Sequence, residues 1–388
     1  MLKAVVGHSN DPDSLPAITE VLEQCRQALA DTSPQAGILF AAIDFDHDLI
    51  LQEIHQKYPE IQLIGGTTDG EMSSVLGFEQ DSLTLILFSA DKIIFRTGIG
   101  LGISQDLPGA IATAVNQAAL GHQAPIELCL TIPDSLTTSA VLVLESLNQA
   151  LEQTFGEKVA VFGGLTADQW EFKQTYQFCG TKVYSDAIPI MLISGEILFA
   201  HGIASGWHPI GKKGIVTKAD RNIVSEIDHK PALDFYHYYL DGMSPSQEYP
   251  LAVFDAEEIH YYMRASSGAH DVNTGSITFF GDVPEGAIVQ ITETTHDSIL
   301  AASKTSMEQA IANYPGKEPV AAVYFSCASR KQILGSRTKE EYTLTQTCLV
   351  NSLPSCGFYT NGEISPLPQQ TNSCFHNETF ITLLLGES

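Results

Sequence analysis

The sequence predicts an α/β protein built from repeated strand-helix-strand-turn-hairpin units, which form mixed sheets flanked by helices in two closely packed domains. Two observations carry this prediction. Continuous apolar runs such as residues 37–43, typical of strands covered on both faces, alternate with amphipathic helical segments. An apolar strand leading into Gly-Gly and then polar residues occurs at 64–71 and returns at 162–168, so that Gly65 and Gly163 lie 98 positions apart. This recurrence indicates an internal duplication.

The elements of the first unit follow from its periodicity and its helix signals. Asp13 and Ser14 can cap a helix that carries Pro16 in its first turn, and apolar residues between Ile18 and Leu29 mark one face of it. Pro59 ends the second helix. The predicted elements, in order, are strand 3–6, the first helix, strand 37–43, helix 49–57, strand 61–64 and a hairpin of 83–88 with 93–95.

A helix at 107–120, closed by Gly121, follows the first hairpin, and the pattern then restarts. The predicted elements of the second unit are strand 127–132, helix 139–155 closed by Gly156, strand 159–162 and a hairpin of 188–193 with 197–199.

A third, partial unit follows a stretch of different texture. The intervening stretch predicts a hairpin of 214–220 with 223–227, an aromatic-rich helix at 231–240, several short strands and a helix at 296–314 that Thr295 caps. The partial unit comprises strand 320–326, helix 339–353, strand 355–359, a looser copy of the turn at 357–363 and a closing strand at 379–385. We place the domain boundary near residues 205–225, which gives domains 1–215 and 216–388.

Composition narrows the function. The formal charge of −26, from 46 acidic and 20 basic residues among 388, is spread along the chain and argues against nucleic acid or anionic membrane as a partner. The seven cysteines form no Cys-x-x-Cys pair, which is typical of reduced thiols. There is no signal-peptide pattern, and no apolar run approaches the ~20 residues of a membrane helix. We therefore expect a cytoplasmic protein without membrane insertion.

Polar residues follow the strands of each unit and predict a ligand site. Crossover strands are parallel, and ligands of open α/β sheets bind beyond the carboxyl ends of the strands. Arg330 is expected to hold a carboxylate bidentately. Turn chemistry for the glycines and aspartates, and ion pairs for Arg330, Glu363 and Arg264, remain open as structural alternatives. The candidate ligand-binding residues are Asp44, Thr67, Thr68, Asp69, Thr166, Asp168, Cys327, Arg330, Tyr359, Asn361 and Glu363.

The sequence gives less support to a metal site or to nucleophilic catalysis than to a ligand site. The segments 44–48 and 376–378 contain metal-ligand residue types without a recognised spacing, so we predict no metal site. The sequence has no Gly-x-Ser-x-Gly elbow. Cys327 is the candidate thiol nucleophile, with Arg330 near enough in sequence to lower its pKa, but its apolar neighbours favour an inert thiol. We therefore expect a protein that is not an enzyme.

Seven segments together carry a resemblance to a known family. They are 64–71, 162–166, Gly-Trp-His-Pro-Ile-Gly at 206–211, 226–234, Cys-Ala-Ser-Arg at 327–330, 357–364 and 376–379. In this order they resemble the FIST sensory domain, with a FIST N-terminal domain over 1–215 and a FIST C-terminal domain over 216–388.

The resemblance implies a bacterial signal-input protein. Such a protein would bind a small ligand, an amino acid or similar carboxylate, and regulate a partner signalling protein in trans. The implied partners are a histidine kinase of a two-component system, a chemoreceptor or a cyclic-di-GMP enzyme.

A haem-based nitric-oxide sensor that controls a histidine kinase is the alternative, because a subset of stand-alone FIST proteins resembles such sensors. Haem b would need an axial ligand, and without a Cys-x-x-Cys-His motif it would be held non-covalently. His201, His208 and His237 lie among apolar or aromatic neighbours and are the candidate ligands. A visible absorption spectrum distinguishes this alternative from a metabolite sensor.

Overall fold

The computed structural model describes residues 1–255, 258, 260–367 and 372–388. Across these residues the chain forms three six-stranded mixed sheets and one nine-stranded sheet, with helices packed against them. The predicted α/β class is therefore confirmed. The structure also shows that the third unit is complete. Its first strand lies far upstream of its other elements in the sequence, so the unit looks partial when the sequence is read alone.

The first unit contains two helices and the strands that surround them. Asp46 caps the second helix, since its Oδ1 accepts a 3.1 Å hydrogen bond from the Leu49 N–H. The elements are β1 Lys3–Ser9, α1 Ser14–Leu29, β2 Ala36–Ala41, α2 His47–Lys57, β3 Gln62–Thr67, β4 Glu71–Ser73, β5 Gly77–Glu79 and β6 Leu83–Ser89.

The second unit has the same order of elements. Gly156 ends its second helix in the left-handed conformation, with φ of 75°, as the sequence predicts. The elements are β7 Ile93–Leu101, α3 Leu107–Ala119, β8 Ile126–Thr131, α4 Ala140–Phe155, β9 Ala160–Gly164, β10 Gln177–Cys179, β11 Lys182–Tyr184 and β12 Ala187–Gly195.

The third unit begins with β13 Ile197–Ala204 and is then interrupted by the nine-stranded sheet. The elements of this insertion are β14 His208–Pro209, β15 Gly214–Asp220, β16 Ile223–Ile227, β17 Lys230–Pro231, α5 Ala232–Tyr239, β18 Leu251–Phe254, β19 Tyr261–Arg264, β20 Ser266–Asp271, β21 Ser276–Phe279 and β22 Ile288–Glu293. The unit resumes with α6 His296–Asn313, β23 Ala321–Cys327, α7 Ala328–Leu334, α8 Thr338–Gln346, β24 Ser355–Thr360, β25 Glu363–Pro366, β26 Ser373–His376 and β27 Phe380–Glu387.

Each unit lends a strand pair to another unit's sheet. The strand orders are β1-β6-β2-β3-β10-β11, β7-β12-β8-β9-β25-β26 and β13-β27-β23-β24-β4-β5. The first, second and third units therefore contribute β4–β5, β10–β11 and β25–β26 to the sheets of the third, first and second units. The inner faces of the three sheets share one apolar core, in which the rings of Phe40 and Phe358 stack 4.5 Å apart. Through this exchange of strand pairs, the N-terminal and C-terminal parts of the chain share sheets.

The paired glycines lie in strands, which corrects the interpretation that they serve a turn. Gly65 is paired with Leu39 in parallel register, and a Cβ on it would lie 2.1 Å from the Leu39 carbonyl oxygen. Gly163 faces Thr131 in the same way, at 1.9 Å. A side chain cannot fit at either position, so the motif repeats because each parallel strand pair needs this close approach.

Two predicted hairpins are wrong. β6 pairs with β1 and β2, whereas β7 pairs with β12 in the next sheet. Likewise β12 and β13 lie in different sheets, because β13 pairs with β27. Short connections between apolar strands look like hairpins in sequence, but here each leads from one sheet to the next. The predicted helix 339–353 is also shorter, and α7 before it was not predicted.

The division at residue 215 is a prediction that the strand pairing does not decide. β13 and β4, which precede it, share a sheet with β23, β24 and β27, which follow it. In the part of the chain that the structure describes, no helix has the length and apolar character needed to cross a membrane.

Candidate functional site

A cavity of about 470 Å³ lies where the second unit, the third unit and the inserted sheet meet. The segment after β8 and the segment after β23 form two of its walls, and the insertion forms a third. The lining residues are Ser135 to Ala140, Leu165, Trp170, Phe172, Arg221, Asn222, Ala265, Ser267, Thr278 to Phe280, Asp282, Cys327 to Ser329, Thr360, Asn361 and Asn377. We refer to it as the first cavity. It lies at the carboxyl ends of β8 and β23, where ligands of open α/β sheets commonly bind.

Local capping shapes the wall that follows β8. Asp134 is buried, and its Oδ1 accepts hydrogen bonds of 2.8 Å from the backbone N–H groups of Leu136 and Thr137. Ser139 then caps α4. These bonds hold the hydroxyl side chains of Ser135, Thr137, Thr138 and Ser139 against the cavity.

The cavity combines neutral polar groups with aromatic rings. Asn361 bridges two walls, because its Nδ2 donates a 3.1 Å hydrogen bond to the Ser135 hydroxyl. Trp170 and Phe172 are in edge contact, and Phe172 stacks on Phe280 of the insertion. Trp170 and Phe172 both have positive φ, of 66° and 49°. Such strained backbone is typical of functional segments.

Two charged residues face this cavity from the insertion. Arg221 lies in the turn between β15 and β16 with φ of 53°, and its guanidinium makes no hydrogen bond or ion pair with the described residues. Asp282 is half-buried, and its Oδ1 lies 3.5 Å from the Ser139 hydroxyl. A cation and an anion on one wall can together bind a zwitterion.

Cys327 and Asn361 are the sequence candidates that line the first cavity. The Cys327 Sγ lies 3.5 Å from the Ser329 hydroxyl, and burial, with the charges of Glu363 and Glu378, raises the pKa of the thiol. Among the described residues, Arg330 makes no hydrogen bond or ion pair with this thiol. A thiol with a raised pKa is protonated and poorly nucleophilic.

Glu363 lies behind this wall and is fully buried. Its Oε2 accepts hydrogen bonds from the Thr379 backbone N–H at 3.0 Å and hydroxyl at 2.6 Å, while Oε1 has no partner among the described residues. Burial raises the pKa of Glu363, and the nearby Glu378 carboxyl raises it further. The side chain is not part of the cavity lining.

Arg330 does not have the role that we predicted. It is fully buried, and its Nε and Nη2 bind Glu341 Oε1 at 2.9 and 2.6 Å. The remaining donors reach backbone carbonyl groups of Ser205, Glu378 and Ile299. All five N–H donors are occupied, so none is left for a ligand carboxylate. The ion-pair alternative is correct for this residue.

The other candidates of the third turn and of the first unit also have protein partners or lie apart. The Tyr359 hydroxyl donates a 2.6 Å hydrogen bond to Glu341 Oε2 and so belongs to the Arg330 cluster. Asp44 is exposed beyond β2, and its unit does not contribute to the first cavity. The structure therefore separates Asp44 from the other strand ends.

The three motifs meet at the centre of the molecule. The Ala167 N–H donates to the Thr67 carbonyl at 2.8 Å, and the Leu165 N–H donates to the Gly362 carbonyl at 2.9 Å. The Asp69 N–H donates to the Tyr359 carbonyl at 3.0 Å, which closes the ring. Three turns that are far apart in sequence are thus joined by backbone hydrogen bonds.

The first and second turns use their polar side chains internally. The Thr67 hydroxyl accepts from the Tyr176 N–H, and the Thr68 hydroxyl donates to Glu71. The Thr166 hydroxyl donates to the Pro133 carbonyl at 3.2 Å. Asp168 accepts from three successive backbone N–H groups, at 172 to 174, and caps that turn. The turn-chemistry alternative describes Asp168 best.

Asp69 differs from these residues. It is fully buried, and both carboxylate oxygens lack a hydrogen bond of ordinary geometry to the described residues. Burial raises the pKa of Asp69 to about 6, although the nearby Lys331 ammonium opposes this shift. Lys331 Nζ donates to the Asp69 carbonyl oxygen.

The three histidines proposed for haem do not converge on the first cavity. His201 is half-buried, and its Nε2 lies 3.0 Å from the Pro366 carbonyl oxygen. His208 is exposed on β14, and His237 is half-buried on α5. None of the three lines the first cavity. These residues therefore do not fit an axial ligand for haem at this site, and haem binding remains an untested prediction.

Several residues that line the first cavity were not predicted from the sequence. Trp170 and Phe172 follow the second Gly-Gly motif directly, and Arg221 is one of few basic residues and sits between two predicted strands. Tryptophan and basic residues are rare in this chain, and their placement beside a predicted turn or between predicted strands could have indicated a site. Asp282 had no comparable signal, because the packing of the insertion brings it to the cavity.

The fold and cavity define a repeated α/β protein with a ligand-sized cleft beside its inserted sheet. Family models match the chain as a FIST N domain over residues 35–230 and a FIST C domain over 232–366. The chain therefore belongs to the FIST family. FIST domains are sensory domains, which places the protein in the sensory and signalling class.

Sequence relatives extend over nearly the whole chain. The uncharacterized protein MT0656 of Mycobacterium tuberculosis is 24% identical over 380 residues, covering 93% of this chain and 94% of the relative. The uncharacterized protein Mb0898c of Mycobacterium bovis is 25% identical over 378 residues, with the same coverage. The uncharacterized protein MJ1623 of Methanocaldococcus jannaschii is 27% identical over 160 residues, covering 39% of this chain and 31% of the relative.

Among solved structures, the chain has a low similarity to two enzymes. Cyanuric acid hydrolase from A. caulinodans has 9% identity and a TM-score of 0.37, covering 100% of this chain and 99% of the enzyme. A chorismatase has 9% identity and a TM-score of 0.33, covering 99% and 98%. The prediction that the chain is not an enzyme is contradicted by this finding and is withdrawn. At these TM-scores the likeness identifies no reaction.

Proposed function

We propose that this protein is a sensor that binds a small polar metabolite, an amino acid or similar carboxylate, in the first cavity. The observation that carries the proposal is the placement of Arg221. It faces a cavity of about 470 Å³ without an ion-pair partner among the described residues. Cavities of this size with a few convergent polar groups are typical of small-molecule sites.

The lining supports a zwitterionic ligand. Arg221 supplies a cation for a carboxylate, and Asp282 supplies an anion for an ammonium group. Hydroxyl and amide groups such as those of Ser135 and Asn361 can orient further polar atoms. Trp170 and Phe172 offer apolar surface to the body of the ligand.

The location of the cavity supports a signalling role. Its walls belong to the three-unit body on one side and to the inserted sheet on the other, so a ligand would contact both parts. Ligand contacts that differ between two arrangements of these parts would shift their populations. We propose that this shift regulates a histidine kinase, a chemoreceptor or a cyclic-di-GMP enzyme in trans.

Tryptophan fluorescence tests the proposal at the cavity itself. The chain has two tryptophans: Trp170 lines the cavity, and Trp207 is 1% exposed in a separate cluster. We expect a free amino acid or small carboxylate to change the emission of the wild type and of Trp207→Phe saturably. Trp170→Phe should lose the response while a thermal-melt shift persists.

Two results would contradict the proposal. One is a set of flat titrations and melts across amino acids and small carboxylates with folded protein. The other is a response that survives in Trp170→Phe and disappears in Trp207→Phe. An intense Soret band in the purified protein would instead support the haem alternative.

A further inference from the structure

A second cavity, of about 410 Å³, lies beside the first. It is enclosed by α4, by the edge of the inserted sheet and by β26. Arg221 and Asp282 line both cavities, whereas Arg264, Tyr262 and Cys374 line the second alone. We call it the second cavity.

Arg264 is the most deeply buried of the charged residues that line the second cavity. It is 5% exposed, and within the described residues it makes no ion pair. Its Nε donates to the Asp282 carbonyl at 2.9 Å, and its Nη1 donates to the Met263 and Phe375 carbonyls at 3.0 Å each. Both N–H donors of Nη2 lack a described partner. Nη2 is not among the buried polar atoms that lack a partner, so it is open to the second cavity, where an anion can bind it.

The surroundings hold the guanidinium in place. Its Cζ lies 4.2 Å from the centre of the Tyr262 ring and 5.5 Å from that of Phe375. Burial lowers the pKa of Arg264, and the opposing influences of Tyr262, Cys374 and the Asp282 carboxylate are weaker. Cation–π contacts stabilise the charge only partly. The two ring contacts and the three carbonyl bonds fix the guanidinium, and no described carboxylate is hydrogen-bonded to its Nη2.

The remaining lining restricts the anion. Glu145 and Glu285 stand at the rim as exposed carboxylates, which disfavours a multiply charged phosphate. Val141 and Leu144 supply apolar wall beside Phe375. A ligand with a single negative charge and a short apolar body fits a cavity that has one buried arginine, an apolar wall and carboxylates at its rim.

We propose that the second cavity is a binding site for a small monocarboxylate with an apolar body, whose carboxylate accepts hydrogen bonds from Arg264 Nη2. This site is distinct from the one for a polar metabolite in the first cavity, and it does not depend on that proposal.

Butyrate is the probe, with inorganic phosphate and chloride at equal ionic strength as comparisons. We expect butyrate to raise the melting temperature saturably and to slow alkylation of Cys374 by N-ethylmaleimide at least threefold. Cys348, which is also half-buried but lines neither cavity, serves as the internal reference. Arg264→Gln should lose the protection of Cys374, which lines the second cavity only, and Arg264→Lys should retain part of it.

Asn361→Ala is the matched control, because Asn361 lines the first cavity only. It should respond to butyrate as the wild type does. If Arg264→Gln does not fold, the effect of butyrate on the alkylation of wild-type Cys374 tests the proposal. Unchanged alkylation with butyrate would overturn the proposal, as would a full response in folded Arg264→Gln. Equal protection by phosphate would overturn the choice of a carboxylate.

Discussion

The molecule contains two buried arginines with opposite surroundings. Arg330 lies in the third unit with Glu341, which is also fully buried, and uses all five of its donors. Arg264 lies at the edge of the inserted sheet, uses three hydrogen bonds to carbonyl groups and has no carboxylate partner among the described residues. The first arginine is part of the architecture, whereas the second has capacity left for a ligand.

The contrast shows what a sequence position can and cannot indicate. Arg330 follows a buried strand at the edge where ligands bind, and that position alone suggested carboxylate recognition. Its partner Glu341 lies on α8, which returns over the same strand end. Whether an arginine is free depends on the helix that covers it, and this is decided by packing.

The strongest test of the contrast is Arg330→Met. We expect a loss of about 3–5 kcal/mol in the free energy of unfolding, because the substitution leaves Glu341 buried without its counter-charge. Urea denaturation measures this loss. The double variant Arg330→Met, Glu341→Leu should recover much of it, and a loss no larger than that of a surface pair would contradict the structural role of Arg330.

Arg337→Ala is the control for Arg330. Arg337 is 37% exposed and pairs with Asp297 and Glu340 at the surface. Such pairs contribute about 0–1 kcal/mol.

Glu71 extends the contrast to buried carboxyl groups. Glu341 has Arg330, whereas Glu71 has no ion pair among the described residues and receives hydrogen bonds from the hydroxyls of Thr68 and Ser82 and from the Ser82 backbone N–H. Burial raises the pKa of Glu71 from 4.5 to about 7. The folded protein therefore holds this proton more tightly than the unfolded chain does. The resulting stability is complete below pH 4.5 and is lost as the pH rises through 7.

Glu71→Gln should remove this dependence. Gln177 occupies the corresponding position in the second unit, since both residues begin the strand pair that is lent to another sheet. Between pH 4.5 and 8, we expect the wild type to lose about 3 kcal/mol more stability than the variant. Denaturant titrations at each pH measure the difference. Parallel pH profiles would show that Glu71 does not titrate in this range.

Arg264→Met is expected to cost less than Arg330→Met. Three carbonyl groups lose a donor, but no buried carboxylate loses a counter-charge. We expect a loss of about 1–3 kcal/mol, measured by urea denaturation without added carboxylate. A cost equal to that of Arg330→Met would remove the energetic distinction between the two arginines.

Arg221→Gln should have the smallest effect on folding and a clear effect on binding. Because the side chain is exposed and unpaired, we expect a change below about 0.5 kcal/mol in stability. We expect the affinity of an amino acid for the first cavity to fall about tenfold, as loss of a charge-assisted hydrogen bond predicts. Trp170 fluorescence measures that affinity, and Arg26→Gln on the distant helix α1 is the control. Equal affinities of wild type and Arg221→Gln would exclude Arg221 from the site.

Local signals in the sequence predicted most elements of the fold. The Gly-Gly recurrence identified the repeat, Thr295 marked the start of α6, and the 214–227 hairpin was correct. The completeness of the third unit was hidden, because the insertion separates β13 from β23 by more than a hundred residues. The exchange of strand pairs between sheets was hidden as well, since strand periodicity does not specify which edge a strand joins.

The candidate site was predicted in outline only. Cys327 and Asn361, which were predicted because they follow strands, both line the first cavity. Thr68 and Asp168 were predicted for the same reason, but their side chains bind a buried carboxylate and backbone N–H groups of the protein. The insertion supplies Arg221, Asp282 and Arg264, and its docking against α4 depends on long-range packing that local patterns do not encode.

Arginine-selective ¹⁵N labelling of the wild-type protein tests the central contrast most directly. The chain has six arginines, so the Nε–Hε signals can be assigned by substitution. Titration with butyrate at constant ionic strength should move the Arg264 signal saturably and leave the Arg330 signal unchanged. A butyrate-dependent shift of Arg330 with a stationary Arg264 would contradict the account.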